Sequence, residues 1–403
     1  MKWETYKLKQ LCSEIVDCVN KTAPTSGVPT PYKMLRTSDI REGKINLENL
    51  NCVTKEVYEK WTRRGKLQKG DVIFTREAPL GEVGLVREEK NYFLGQRLVL
   101  FRANDKICDG RFLMYSLLWH DNKQAIISKG VGSTVAHLRV PECENIEIKA
   151  PDLDIQHRIA DILSAYDDLI ENNQKQIKLL EEAARRLYKE WFVDLRFPGH
   201  ENTEIVDGVP EGWNWCKLED AIQLDPKVTL TKERMKQFIP MSALSTSSMV
   251  LDESQFTETT SNSGSKFQNG DTLLARITPC LENGKTAYVS GLKSDEGAVG
   301  STEYIVMRAK TINSYMVYLL ARTDDFRQSA INSMSGSDGR QRVKSDKLKM
   351  LDYLHPTSEL VEKFENVEEP IFEKIYRLSK QMQQTKQARD LLLPKLMSGE
   401  VEV

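Results

Sequence analysis

The residues able to do chemistry fall into a few clusters, and they suit the holding of anions better than the making of bonds. The segment Lys55 to Lys69 sets Lys60, Arg63, Arg64, Lys66 and Lys69 around Trp61. Lys129 to Arg139 mixes the hydroxyls of Ser133 and Thr134 with Lys129, His137 and Arg139. A third run, Gly339 to Lys349, carries Arg340, Gln341, Arg342 and Lys344 shortly after Ser335 and Ser337. Cations interleaved with hydroxyl and amide groups are what phosphate positioning and base-edge reading need. A basic run is also ordinary solvated surface, and only its placement separates the two readings.

Bond-making chemistry finds little support. There is no Asn/Asp-Pro-Pro-aromatic segment to hold a flipped adenine and no GxxxxGK[ST] loop to cradle a nucleotide. Seven cysteines form no CxxC pair and are odd in number, and there are five histidines, so neither a disulfide framework nor a zinc site is expected. Gly130-Val-Gly-Ser reads as a helix end and loop, and Asp167-Asp168 as a solvated helical face. The expectation is a chain with no catalytic residues, no metal and no cofactor of its own. A formal net charge of −2 gives no global field for nucleic acid, so any basic surface must be local. With no opening signal peptide and no apolar stretch approaching a membrane span, the chain reads as soluble and cytoplasmic.

The elements that would position these clusters are two globules and two rods. Residues 1–150 read as mixed α/β, with strands near Tyr32–Leu35, Ile45–Leu47, Asp71–Thr75, Gly84–Val86 and Leu98–Phe101, then a helix from about Gly110 to Lys129. From Asp154 to Phe192 there is no Pro or Gly, and apolar residues recur in alternating steps of four and three: Ile155, Ile159, Ile162, Tyr166, Leu169, Leu180, Leu187 and Trp191. Asn173 and Gln176 are polar members of that seam, of the kind that set register. Such a rod would be roughly 58 Å long. Its partner is expected from Ser358 to Leu393, where Ile371, Ile375, Leu378, Met382, Thr385 and Leu392 keep the same step, with Pro370 starting or kinking a helix and Pro394 ending it.

The second half repeats the first. Trp3-Glu-Thr-Tyr-Lys-Leu8 is answered by Trp213-Asn-Trp-Cys-Lys-Leu218, and Leu67-Gln-Lys-Gly-Asp-Val-Ile-Phe-Thr-Arg76 by Phe267-Gln-Asn-Gly-Asp-Thr-Leu-Leu-Ala-Arg276. Pro79 and Gly84 fall on Pro279 and Gly284, and Gln124, Gly132 and Ser133 on Gln328, Gly336 and Ser337. The organisation expected is an α+β chain: a globule over 1–150, a helical spacer over 151–197, a second globule over 198–355 and a distal helical spacer over 356–403. Two rods pairing antiparallel would make an object of approximate two-fold symmetry, and double-stranded DNA is the polymer that matches it, read as two separated half-sites. Because the repeats differ in detail, the half-sites would differ too.

These residues resemble the specificity subunit of type I restriction-modification systems. The carriers are the Trp3 and Trp213 openings, Arg36-Thr-Ser-Asp-Ile40 with Gly43-Lys-Ile45, the paired Gly-Asp-x-x-x-x-Arg segments, Pro151-Asp-Leu-Asp-Ile-Gln156 leading into Ile159-Ala-Asp-Ile-Leu163, and the tail Arg389 to Val401. The resemblance implies two target-recognition domains reading a bipartite, asymmetric sequence, and an antiparallel coiled coil as the ruler between them. It implies docking of two modification subunits, which methylate adenine with S-adenosylmethionine, and of motor-nuclease restriction subunits in the full complex. Carried onto this chain, DNA contacts would come from Arg36, Thr37, Ser38, the Arg63–Lys69 cluster, Arg76 and Lys129 to Arg139. In the second domain they would come from Ser242, Ser245, Arg276, Lys285 and Ser335 to Lys344. Arg76 and Arg276 read equally as structural partners of Asp71 and Asp271. Two departures stand out: Pro370 interrupts the second rod, and the second domain lacks a counterpart of the Trp61 cluster. Two rival readings are a nucleic-acid enzyme with an unrecognised active site and a coiled-coil adaptor that joins proteins without DNA.

Overall fold

The computed structural model describes residues 2–131, 136–336 and 340–403. The chain forms two compact units, one made of Met1–Ile170 with Gln384–Val403 and the other of Glu171–Gln383. Each contains one part of both long helices.

In the first unit a four-stranded antiparallel sheet has the order Cys12–Asp17, Leu98–Ala103, Val72–Arg76, Leu80–Leu85. Its central strands read as almost unbroken apolar runs because both faces are covered. Val72, Phe74, Val99 and Phe101 point into one core, shared with Phe112, Leu113 and Ile159. Ile73, Leu98 and Leu100 point into another, shared with Leu35, Ile40 and Tyr92. The alternation of side chains along a strand thus serves two cores at once. A small sheet of Asn51–Cys52, Lys33–Leu35 and Tyr92–Leu94 extends the unit, and a ribbon of Glu4–Lys7 with Glu147–Ala150 leads into the first long helix.

The second unit repeats this order with its own residues: Ile222–Leu224, Tyr304–Ala309, Thr272–Ala275, Thr286–Tyr288, all antiparallel. Leu274, Ile305 and Met307 face one core and Leu273, Tyr304 and Val306 the other. The ribbon of Asn214–Lys217 with Asp352–His355 again precedes a long helix. In both units a helix pair follows the sheet, Gly110–Leu118 with His120–Ser128 and Ser314–Ala321 with Asp324–Asn332. The first helix of each pair is capped by an amide or carboxylate oxygen, Asp109 accepting from the Arg111 and Phe112 N–H groups and Asn313 from that of Met316. The continuous helix expected from Gly110 to Lys129 is therefore two helices, broken where Trp119 takes an extended ψ of 130°.

The long helices run Leu153–Phe192 and Ser358–Ser398. Pro394, expected to end the second one, lies inside it, and Pro370, expected to start or kink a helix, lies within the same continuous helix. Pro370 and Pro394 are exposed, as are Asn366 and Asp390 one turn earlier, so the carbonyls released by the missing N–H groups lie on the solvent side, where water can satisfy them.

Within the second unit the two helical stretches pack antiparallel: Asn173 donates to Gln381 at 3.2 Å, while Trp191 and Phe192 meet Phe364 edge-to-face with ring centroids 5.4 and 4.8 Å apart. Ile375 and Leu378 are buried in that contact, and Leu180, Leu187 and Ile371 pack at its edge. Within the first unit Ile159 and Leu163 share a core with Leu396 and Met397, with Ile162 and Leu392 packed against it, and Arg389 bonds the buried Asp167. Tyr166 and Met382 are half-buried. Leu169 departs from the expected seam: it is 37% exposed, and Asp167 and Ile170 take the buried positions. The buried set, Leu163, Asp167, Ile170, Asn173, Ile177, includes a carboxylate that a search for apolar residues passes over.

Candidate nucleic-acid interface

The repeated Gly-Asp-x-x-x-x-Arg segments place a buried, fully bonded carboxylate in each unit. Gly70 and Gly270 hold φ of +91° and +89°, a left-handed backbone that glycine adopts without strain. The tight turn lets Asp71 and Asp271 accept from the N–H groups of Gln68 and Gln268 at 2.7 and 2.8 Å. Each carboxylate is then gripped by two nitrogens of one guanidinium, Arg102 at 2.8 and 2.9 Å and Arg308 at 2.7 and 2.7 Å. Asp71 and Asp271 are each only 1% exposed, so this is a buried fork-to-fork ion pair that fixes the end of the sheet.

The structural reading of Arg76 and Arg276 therefore needs correcting in its partners. Arg76 bonds Asp17 at 3.0 Å and the Leu138 carbonyl at 3.3 Å, while Arg276 bonds the Val343 carbonyl at 3.1 Å. Arg102 and Arg308 went unnoticed in the sequence, although Phe101-Arg-Ala103 and Met307-Arg-Ala309 are a repeated signal that could have found them.

Through those carbonyls Arg76 and Arg276 also anchor a hairpin in each unit. The backbones of Val131 and His137 exchange two hydrogen bonds of 3.0 Å, and those of Ser335 and Arg342 do the same. His137 and Arg342 also bridge to Glu77 and Ile277, just beyond the central strands. Each hairpin thus stands on the end of its sheet. The sequence-expected residues Ser133, Thr134 and Ser337 lie outside the described residues. At the flanks, Lys129, Arg139, Ser335, Arg340 and Lys344 are exposed and Gln341 is half-buried. Arg342 is engaged by Glu303 through contacts of 2.7 to 3.0 Å, and it holds that carboxyl below its usual range.

The other expected contacts divide between exposed and structural. Arg63, Lys66 and Lys69 are exposed around the short helix Lys55–Trp61, with the Lys60 ammonium 5.6 Å from the centre of the Trp61 ring. Arg64 reaches back to the Cys18 carbonyl at 3.2 Å. Arg36 forms a bidentate pair with the buried Asp39 at 2.7 and 3.0 Å, and Thr37 donates to the Ala78 carbonyl at 2.9 Å, so both shape their turn. Ser38 lies 3.4 Å from the same carboxylate. In the second unit Lys285 donates to the Met241 carbonyl at 2.9 Å, and Ser245 accepts from the Ser247 and Ser248 N–H groups, leaving Ser242 exposed in that region. Among the described residues no cluster of His, Cys, Asp or Glu could hold a metal ion, the seven cysteines are free thiols, and no helix is long and apolar enough to cross a membrane.

Residues 1–182 match the family described as type I restriction modification DNA specificity domain. The chain is 27% identical over 345 residues to the type I restriction enzyme MjaIX specificity subunit of Methanocaldococcus jannaschii, covering 83% of this chain and 78% of that one. It is 20% identical to the HindI specificity subunit of Haemophilus influenzae, over 91% and 94% of the two chains. With the EcoAI specificity subunit of Escherichia coli the match is 35% over 140 residues, 34% of this chain and 24% of that one. The crystal structure of the type I restriction-modification system S subunit from M. genitalium superposes with a TM-score of 0.61 at 16% identity, covering 98% of this chain and 96% of that one, which is a likeness of fold. The duplicated units and the two long helices agree with these likenesses: residues 1–182 match the DNA specificity domain, and most of the chain is similar to type I restriction-modification specificity subunits.

Proposed function

We infer that the chain is the non-catalytic subunit that reads DNA sequence for a type I restriction-modification complex, each unit addressing one half of a bipartite, asymmetric target. The observation that carries this reading is the pair of hairpins, Val131–His137 and Ser335–Arg342, set at equivalent places on two copies of one fold but built from different residues. A shared scaffold that carries unlike residues at an equivalent place is what two dissimilar half-sites call for. The exposed cations at their flanks suit phosphate positioning.

The partners on this reading are duplex DNA, two modification subunits docked on the long helices, and restriction subunits in the full assembly. S-adenosylmethionine would bind the modification subunit and not this chain. The test is to map methylated adenines in DNA from cells expressing this chain with its cognate modification subunit. The expected result is methylation at a two-part motif whose second half alone changes when the Ser335–Lys344 segment is replaced. Methylation or cleavage by the purified chain alone would overturn the non-catalytic reading.

A further inference from the structure

We propose that the second unit holds a phosphate-binding pocket, formed by Lys227, Lys266 and Arg276, that takes a backbone phosphodiester of the bound DNA. The proposal rests on the DNA-reading function inferred above and gives that function a grip on the strand that the basic cluster around Trp61 supplies only in the first unit.

The three cations line one cavity of about 450 Å³ together with the hydroxyl-bearing Thr229, Ser265 and Thr302. That volume lies within the ~300–1,000 Å³ usual for ligand sites. The one carboxylate in the lining, Asp225, is engaged: it accepts from the Val306 N–H at 3.0 Å and from the Ser345 hydroxyl. The Ser265 hydroxyl donates to the Tyr304 carbonyl at 3.3 Å, so three cations against one engaged carboxylate leave an excess of positive charge beside the threonines, a donor set suited to a phosphate oxyanion.

Comparison of the repeats adds an independent reason. Arg76, the equivalent of Arg276, is neutralised by Asp17, which lies opposite Val99 in the strand register. In the second unit Leu224 lies opposite Met307, so the position matching Asp17 falls on Pro226, which carries no charge. Among the described residues Arg276 has no carboxylate bonded to it. The nearby Glu303 carboxylate is taken by Arg342 at 2.7 to 3.0 Å. The duplication thus kept the arginine without a directly bonded carboxylate, with Glu303 near it but hydrogen-bonded to Arg342, and placed Lys227 next to Pro226 in the chain, which leaves a cationic site.

The experiment uses the complex of the full chain with its modification subunit, a fluorescent duplex and a potassium chloride series. The Lys227→Gln/Lys266→Gln variant is expected to bind about tenfold more weakly at fixed salt, the scale of one missing charge-assisted hydrogen bond. The slope of log affinity against log salt should become shallower by about 0.9 for each phosphate released. Removing two charges outside the pocket, Lys232→Gln/Lys293→Gln, should leave the slope as it is. An unchanged slope in the pocket variant, or an equal change in the control, overturns the proposal. Melting with inorganic phosphate at constant ionic strength separates the sources: protection of the parent but not of the variant shows that the pocket takes a phosphate oxyanion by itself. If the parent complex fails to retain duplex while phosphate still protects it, the pocket stands and its DNA assignment falls with the function. If neither effect appears, both fall.

Discussion

At the scale of single residues, the two buried Asp–Arg forks and one solitary glutamate have the clearest consequences. Asp71 and Asp271 are enclosed and fully bonded; removing the charge at Asp271 strands the Arg308 guanidinium in a partly buried site, whereas Arg102 keeps a second carboxylate in Glu14. Asp271→Asn is expected to destabilise the second unit by about 3 kcal/mol in chemical denaturation, and Asp71→Asn the first by less. Loss of DNA binding with unaltered stability would instead make the fork a reading element. Glu368 is 0% exposed, bonds nothing among the described residues, and burial pushes its carboxyl up to about 7. Between its ordinary 4.5 and about 7 the folded state keeps a proton that the unfolded state gives up, so stability falls as pH rises through that window. Glu368→Gln should abolish that dependence and raise stability at pH above 7 by on the order of 3 kcal/mol. Parallel denaturation curves for parent and variant at every pH would contradict it.

At the scale of elements, the hairpins separate cations that can meet DNA from those already engaged. Arg340 and Lys344 are exposed, whereas Arg342 is held by Glu303. Replacing Arg340 and Lys344 by Gln should therefore make the salt dependence of DNA binding shallower by about 0.9 for each phosphate no longer neutralised. Arg342→Gln should leave that slope alone and act on stability through Glu303. In the long helices the polar seam positions, Asn173 with Gln381 and Asp167 with Arg389, hold hydrogen bonds that an out-of-register pairing would break, and this favours one alignment over its neighbours.

At the scale of the whole molecule, the proposed function gives the long helices the spacer between half-sites to set. If they set it, inserting four residues near Asn173 adds about 6 Å of helix, close to two base pairs of duplex. Methylation mapping of such a variant should find both half-sites unaltered and the gap between them enlarged. An unchanged gap would remove the helices from any role in spacing. The duplication matters here because each unit retains its own cores, so a change in one recognition unit need not disturb the other.

The amino-acid sequence by itself determined the duplication, the two long helices and the central strands, because these rest on local periodicity and on repeated strings such as Gly-Asp-x-x-x-x-Arg. It also marked the basic and hydroxyl runs that recur after equivalent helices, though not that their ends pair as hairpins on the sheets. What only the tertiary structure decided is which charges are free. Arg36, Arg76 and Lys285 look like DNA contacts when read as cations along the chain, yet each is held by a carboxylate or carbonyl that folding brings to it, and the pairing of Asp71 with Arg102 spans two strands. Charge is a property of a residue, but its availability is a property of the space around it. That space is set largely by contacts between segments far apart in sequence, which no local pattern encodes.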